Sequence, residues 1–103
     1  MSREQRRYPR YPVKLQVQYQ DTDREVVISC NDVSLGGLFL STATPPRSGT
    51  RVSLSIELPD GRGVVWATGH VVHLIPGRGM GIAFSNFGPG SRQRLEDFLI
   101  SLA

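Results

Sequence analysis

VKLQVQYQ, residues 13–20, alternates without interruption: Val13, Leu15, Val17 and Tyr19 fall on one side of an extended chain, and Lys14, Gln16, Gln18 and Gln20 on the other. A period of two belongs to a strand with one face buried, so this stretch places the chain in the β class. The pattern continues downstream. DTDR (21–24) is a polar turn, REVVISCND (24–32) a second strand, SLGG (34–37) a turn and LFLST (38–42) a third strand. ATPPRSGT (43–50) is a loop. RVSLSIEL (51–58) alternates again through Val52, Leu54, Ile56 and Leu58, and PDG (59–61) turns the chain tightly into GVVWATGHVVHLI (63–75), a long strand that Gly69 bends or bulges. After IPGRG, GMGIAF (79–84) is the sixth strand, with Met80, Ile82 and Phe84 on one parity.

Past FGPG the period changes. Leu95, Phe98, Leu99 and Leu102 stand at i, i+3, i+4 and i+7, the stripe of an amphipathic helix, with Ser91 as its expected N-cap. Six short strands separated by turn signals predict a closed or nearly closed six-stranded antiparallel β-barrel, since closure removes exposed sheet edges. The helix is expected to pack on it. At 103 residues there is room for one hydrophobic core and not for a second.

Upstream of residue 13 the chain has another character. RRYPR (6–10) carries three arginines, and Tyr8 and Tyr11 each precede a proline, which disfavours a helix and keeps the segment extended or kinked. Through residue 14, Arg3, Arg6, Arg7, Arg10 and Lys14 face only Glu4; the rest of the chain holds seven basic and eight acidic residues. The net charge of +3 therefore resides in the arm. So short a patch does not suit long nucleic acid, which engages a basic face or stripe, but it suits a small dianion. Residues 1–10 are accordingly read as a flexible basic arm and 11–103 as the barrel domain.

Few residue types are available for catalysis or metal binding. His70 and His73, three apart on a strand, are expected on opposite faces. There is one cysteine, Cys30, expected as a core thiol; no second cysteine or acidic pair stands at metal-ligand spacing, and no nucleophile elbow accompanies Ser34, Asp32 or either histidine. The chain is read as a non-enzyme without a cofactor. No segment has the length and apolarity of a membrane span, and no leader-like apolar run opens the sequence, so a cytoplasmic location is expected.

NDVSLGG (31–37) is more informative. On an extended path Asp32 and Ser34 share parity, presenting a carboxylate and a hydroxyl together at a strand end. Two readings stand open. In one, these are local turn-formers, with Gly36 and Gly37 supplying positive φ. In the other, the glycine pair lets a ligand approach the main chain. Arginine suits both phosphate and the O6/N7 edge of guanine, whereas a carboxylate can accept from the N1 and N2 donors on guanine's other edge. Arg6 and Arg10, up to roughly 13 to 14 Å apart when extended, can reach different parts of one ligand. Arm and turn together describe a pocket for a guanine nucleotide.

These two motifs resemble those of the PilZ domain family, bacterial receptors for cyclic di-GMP. RRYPR matches the family's RxxxR through Arg6 and Arg10, DVSLGG matches [D/N]xSxxG through Asp32, Ser34 and Gly37, and GRGMGIAF and the terminal helix are similar to the family's late elements. Arg3 and Arg7 also satisfy RxxxR; Arg6 and Arg10 are preferred because Arg10 lies nearest the first strand, with Arg7 as an auxiliary contact. The resemblance implies a PilZ-like split barrel with a C-terminal helix that binds cyclic di-GMP under the N-terminal arm. It implies guanine and phosphate contacts from Arg6 and Arg10, a guanine-edge contact from Asp32, a nucleotide contact from Ser34, and close approach at Gly36 and Gly37. Several like charges and two prolines are expected to keep the arm mobile without ligand, so that a dianion bridging arm and barrel orders it and alters a surface offered to a downstream protein partner; the resemblance implies control of motility or biofilm. The alternatives are an oligonucleotide-binding barrel and a PilZ-like protein-interaction adaptor that binds no nucleotide.

Overall fold

The structure, a computed structural model, describes residues 8–103. Arg6 and Arg7, and with them the choice between the two RxxxR registers, lie outside the described residues. Six strands follow in order: β1 (Leu15–Gln20), β2 (Glu25–Val33), β3 (Gly37–Ser41), β4 (Arg51–Leu58), β5 (Gly63–Ile75) and β6 (Gly79–Phe87), and then α1 (Ser91–Leu102). Every pairing is antiparallel, in the cyclic order β1-β2-β3-β6-β5-β4, with β4 returning to β1. The predicted barrel is closed.

The alternation read from residues 13–20 survives as burial: Leu15, Val17 and Tyr19 are buried and the glutamines between them exposed. Leu38, Leu40, Ile56, Val71 and Met80 meet them inside the barrel. The Tyr19 hydroxyl donates to Asp21 Oδ2, and Asp21 Oδ1 accepts from the N–H groups of Asp23 and Arg24, at 2.8 and 3.0 Å, which closes the β1–β2 turn. Pro59–Arg62 turns β4 into β5 with both Asp60 (φ 61°) and Gly61 (φ 70°) left-handed, as a tight twist-matched hairpin requires.

Three bulges interrupt the ladders and decide which side chains face outward. The extra residue is Asn31 in β2, Val72 in β5 and Ser85 in β6, the last opposite the Thr68–Gly69 step where a bend was expected. The bulge at Val72 overturns the expectation for the histidines. His70 pairs with Ala83 and His73 with Gly81, so the inserted residue restores common parity and both imidazoles stand exposed on the outer face.

Helix α1 packs on β5 and buries Leu95, Phe98 and Leu99, while Leu102, the fourth member of the expected stripe, is exposed in the final turn. Ser91 is not the N-cap. Gly90, left-handed at φ 76°, holds that position, and Ser91 is fully buried with its Oγ accepting from the Trp66 N–H at 2.9 Å. Arg94 donates to the Val64 carbonyl at 2.9 Å, a second tie between helix and strand. Cys30 is a buried core thiol, pushed above its ordinary pKa by burial. No helix among the described residues is long and apolar enough to cross a membrane.

Candidate functional site

Asp32 owes its position to the β2 bulge. Cys30 and Asp32 share parity in the sequence, and a regular strand would send both inward. With Asn31 inserted, Cys30 pairs with Leu40 on the core side, whereas Asp32 pairs with Phe39 on the outer side. The carboxylate is thereby lifted out of the core, where it would face only apolar side chains.

Arg10 reaches Asp32 because the arm is stitched to the end of β2. Tyr11 and Val33 exchange two backbone hydrogen bonds, at 2.9 and 3.1 Å, and form an isolated antiparallel bridge. Tyr11 packs against the core from outside, which sets Arg10 beside the carboxylate. Its Nε donates to Asp32 Oδ2 at 3.1 Å and lies 2.9 Å from Oδ1. Oδ1 is enclosed, yet receives no aligned hydrogen bond from any described residue. With the two side chains 43% and 38% exposed, the ion pair contributes on the order of 0–1 kcal/mol. A ligand can divide it at little cost.

Ser34 and the glycines have a different part. The expected pairing of Asp32 and Ser34 as adjacent outward groups does not hold, because Ser34 lies past the strand and is buried at 3% exposure. Its Oγ accepts from the N–H groups of Gly36 and Gly37 at 3.0 and 3.2 Å, and its N–H donates to the Gly37 carbonyl at 2.8 Å. This is the local turn of the first reading, but without its positive φ: neither Gly36 nor Gly37 is left-handed. Their bareness answers packing instead. A Cβ on Gly37 would overlap the Ile82 carbonyl oxygen of β6, and one on Gly36 would come within 3.1 Å of the Tyr8 ring.

Tyr8 thus lies over Gly36, and the two border a cleft of about 690 Å³ that runs past Phe84 and Phe87 to Arg92 and Gln93. The outer face of the sheet carries two cross-strand rows. Asp32, Phe39, Gly81 and His73 form one, across β2, β3, β6 and β5; Gly37, Ala83, His70 and Arg51 form the other, across β3, β6, β5 and β4. The histidines are the neighbours that parity reasoning missed, and no sequence signal marks Val72 as the inserted residue. Among the described residues no group of three or more His, Cys, Asp or Glu is placed to hold a metal ion.

The sequence profile of the PilZ domain matches residues 4–101. None of the curated proteins matches. Among solved structures, the Bacillus subtilis inhibitor of motility MotI/DgrA superposes with a TM-score of 0.81 at 24% identity, over 92% of this chain and 49% of MotI. The PilZ domain of YcgR from Escherichia coli, solved with c-di-GMP, gives 0.74 at 21% identity over 93% of this chain and 89% of that one. The MrkH–c-di-GMP complex of K. pneumonia gives 0.73 at 18%, over 93% and 50%. The chain therefore spans about half the length of MotI and of MrkH, and at these identities the likeness establishes the fold.

Proposed function

Because the chain belongs to the PilZ domain family, we propose that it is a non-catalytic receptor for cyclic di-GMP, binding it between the N-terminal arm and the outer face of β2 and β3. The observation that carries this reading is the Arg10–Asp32 pair: a guanidinium on the arm and a carboxylate on the barrel, held together by the Tyr11–Val33 bridge, with Asp32 Oδ1 receiving no aligned hydrogen bond from any described residue. The N1–H and N2–H of guanine are donors of the kind a carboxylate accepts. Arg10, released from Asp32, bonds the O6/N7 edge or a phosphate oxygen. The c-di-GMP bound in the YcgR and MrkH structures supports the ligand assignment.

The remaining roles belong to the same proposal. Arg6 is the second arginine of the motif and Arg7 its auxiliary. Ser34 acts through the turn whose N–H groups it holds, and Gly36 and Gly37 keep that turn low beneath the nucleotide. Residues 1–10 act as the arm and 11–103 as the body. Ligand draws the arm down onto the barrel, shifting Tyr8 and the cleft it borders, and so changes the surface met by a downstream protein in the cytoplasm. MotI, an inhibitor of motility, supports an output of that kind.

A calorimetric titration of cyclic di-GMP into the wild type, Arg10→Ala and Asp32→Ala tests the assignment, with single-stranded DNA as the competing ligand. The expected result is saturable binding that falls at least tenfold in either variant, with no length-dependent binding of DNA. Wild-type protein that ignores cyclic di-GMP, or binds DNA more tightly as the strand lengthens, overturns it.

A further inference from the structure

The seam between β2 and β3 is shorter than β2. Cys30, Asp32 and Val33 find partners on β3, whereas residues 25–29 pair with β1 on one side and, among the described residues, exchange no backbone hydrogen bond on the other. β3 ends at Ser41, and the next N–H, that of Thr42, bonds to the Arg78 carbonyl in the turn between β5 and β6, on the side away from β2. Burial records the missing neighbour. Val26 and Ile28 share the inward parity of Tyr19 and Val17, their fully buried partners on β1, yet Val26 is 37% exposed and Ile28 only half-buried. Val27, which points outward, is 57% exposed.

An unpaired strand edge is a template for another strand, and proteins blunt such edges with lysine, proline or a bulge. Residues 25–29, EVVIS, carry none of these. The Asn31 bulge lies beyond them, Glu25 is their only charge, and Arg24 is drawn aside to the hydroxyl and carbonyl of Thr44.

We infer that this edge pairs with the same edge of a second copy of the chain, antiparallel about a two-fold axis at Val27. The occupant is read from the segment's own chemistry, which runs polar, apolar and polar again in either direction. With Val27 opposite its own counterpart, Val26 lies opposite the partner's Ile28 on the inward face, and Glu25 lies opposite the partner's Ser29, whose hydroxyl can donate to the carboxylate. No like charges meet. The pairing stops at Cys30, where β3 takes over the edge, so the open stretch and the self-complementary stretch coincide. A seam this short belongs with weak, concentration-dependent association and not with a permanent dimer. Neither sequence motif takes part in it, so it stands apart from the nucleotide reading.

Sedimentation equilibrium of the full chain, from about 10 μM to about 1 mM, tests this with wild type, Val27→Lys and Ser29→Lys. Both changes are at exposed positions, and thermal melting checks that each variant folds. Wild type should self-associate as concentration rises. Val27→Lys sets two ammonium groups face to face and should weaken association about tenfold or more, whereas Ser29→Lys sets an ammonium group opposite Glu25 of the partner subunit and should tighten it about threefold at low salt, a gain lost at high salt. Under oxidation Val27→Cys should cross-link into a dimer at least about tenfold faster than Ser53→Cys, a change on the exposed face of β4. Wild type that stays monomeric throughout overturns the proposal and leaves the edge to an extended segment of another protein. A dimer indifferent to Val27→Lys, weaker association in Ser29→Lys, or equal cross-linking at positions 27 and 53 overturns it as well.

Discussion

Asp21 sits at the foot of β1, where one carboxylate collects the Tyr19 hydroxyl, two backbone N–H groups and the nearby charge of Arg24. Burial works against its ionised form, but these bonds outweigh it, and its pKa lies below the ordinary carboxylate range. A carboxylate whose folded pKa is depressed stabilises the fold above its unfolded pKa of about 3.9 and loses that contribution as pH falls through the lower folded value. Tyr19 has the opposite sign: burial, then its bond to Asp21, raise its pKa, so its contribution is complete below about pH 10 and fades in alkali. Melting Asp21→Asn and wild type between pH 2 and 7 should show a shallower acid limb in the variant; parallel curves contradict the assignment. The two motif glycines should also separate. Gly37→Ala forces a methyl group into the β6 backbone and should cost about 3 kcal/mol or more in denaturant unfolding. Gly36→Ala makes its one tight contact with the movable Tyr8 ring and should cost under about 1 kcal/mol. Equal losses would mean that close strand approach is not why Gly37 lacks a side chain.

The elements derive their function from irregularities. Deleting Asn31 would turn the Asp32 carboxylate toward the core, so the deletion variant should fail to fold or melt far below wild type, whereas Asn31→Ala, which loses only an exposed bond to Ser41, should melt within a few degrees of it. A deletion variant as stable as wild type contradicts the role given to the bulge. Ser91→Ala strips the Trp66 N–H of its buried acceptor; a loss of about 1–3 kcal/mol should show as a drop of roughly 4–8 °C in melting temperature per kcal/mol. All six strands and the helix were legible in the sequence, because residues such as Leu15, Val17 and Tyr19, or Leu95, Phe98 and Leu99, repeat with the period of the element that buries them. The bulges were not. An inserted residue leaves the flanking alternation intact and changes only its phase, so Asp32 shares a parity with the buried Cys30 in the sequence, and His73 read as the opposite of His70. Ser91 misled for a related reason: a hydroxyl before a helical stripe reads as a cap, but Gly90 supplies the left-handed turn and Ser91 serves a strand distant in sequence. Of the site, the residue types in RRYPR and DVSLGG were legible; the outward turn of Asp32 and the two outer rows depend on pairings that only the closed barrel makes.

For the whole molecule, a closed barrel meets the described residues of the arm through the Tyr8 ring over Gly36, a two-bond bridge at Tyr11 and an ion pair that costs little to divide. In the proposed switch a small ligand redirects the arm, and differential contact with the two arm positions is what such a switch requires. Saturating cyclic di-GMP should therefore slow tryptic cleavage at the arm arginines several-fold; equal rates with and without ligand contradict the switch, even where binding is intact. The central claim is that Arg10 from the arm and Asp32 from the barrel converge on one guanylate. A crystal structure of the complex with cyclic di-GMP tests it most directly. The account predicts the Asp32 carboxylate on the N1 and N2 edge of a guanine, with Arg10 parted from Asp32 and bonded to the same nucleotide. A nucleotide seated elsewhere, with the Arg10–Asp32 pair intact, would contradict it.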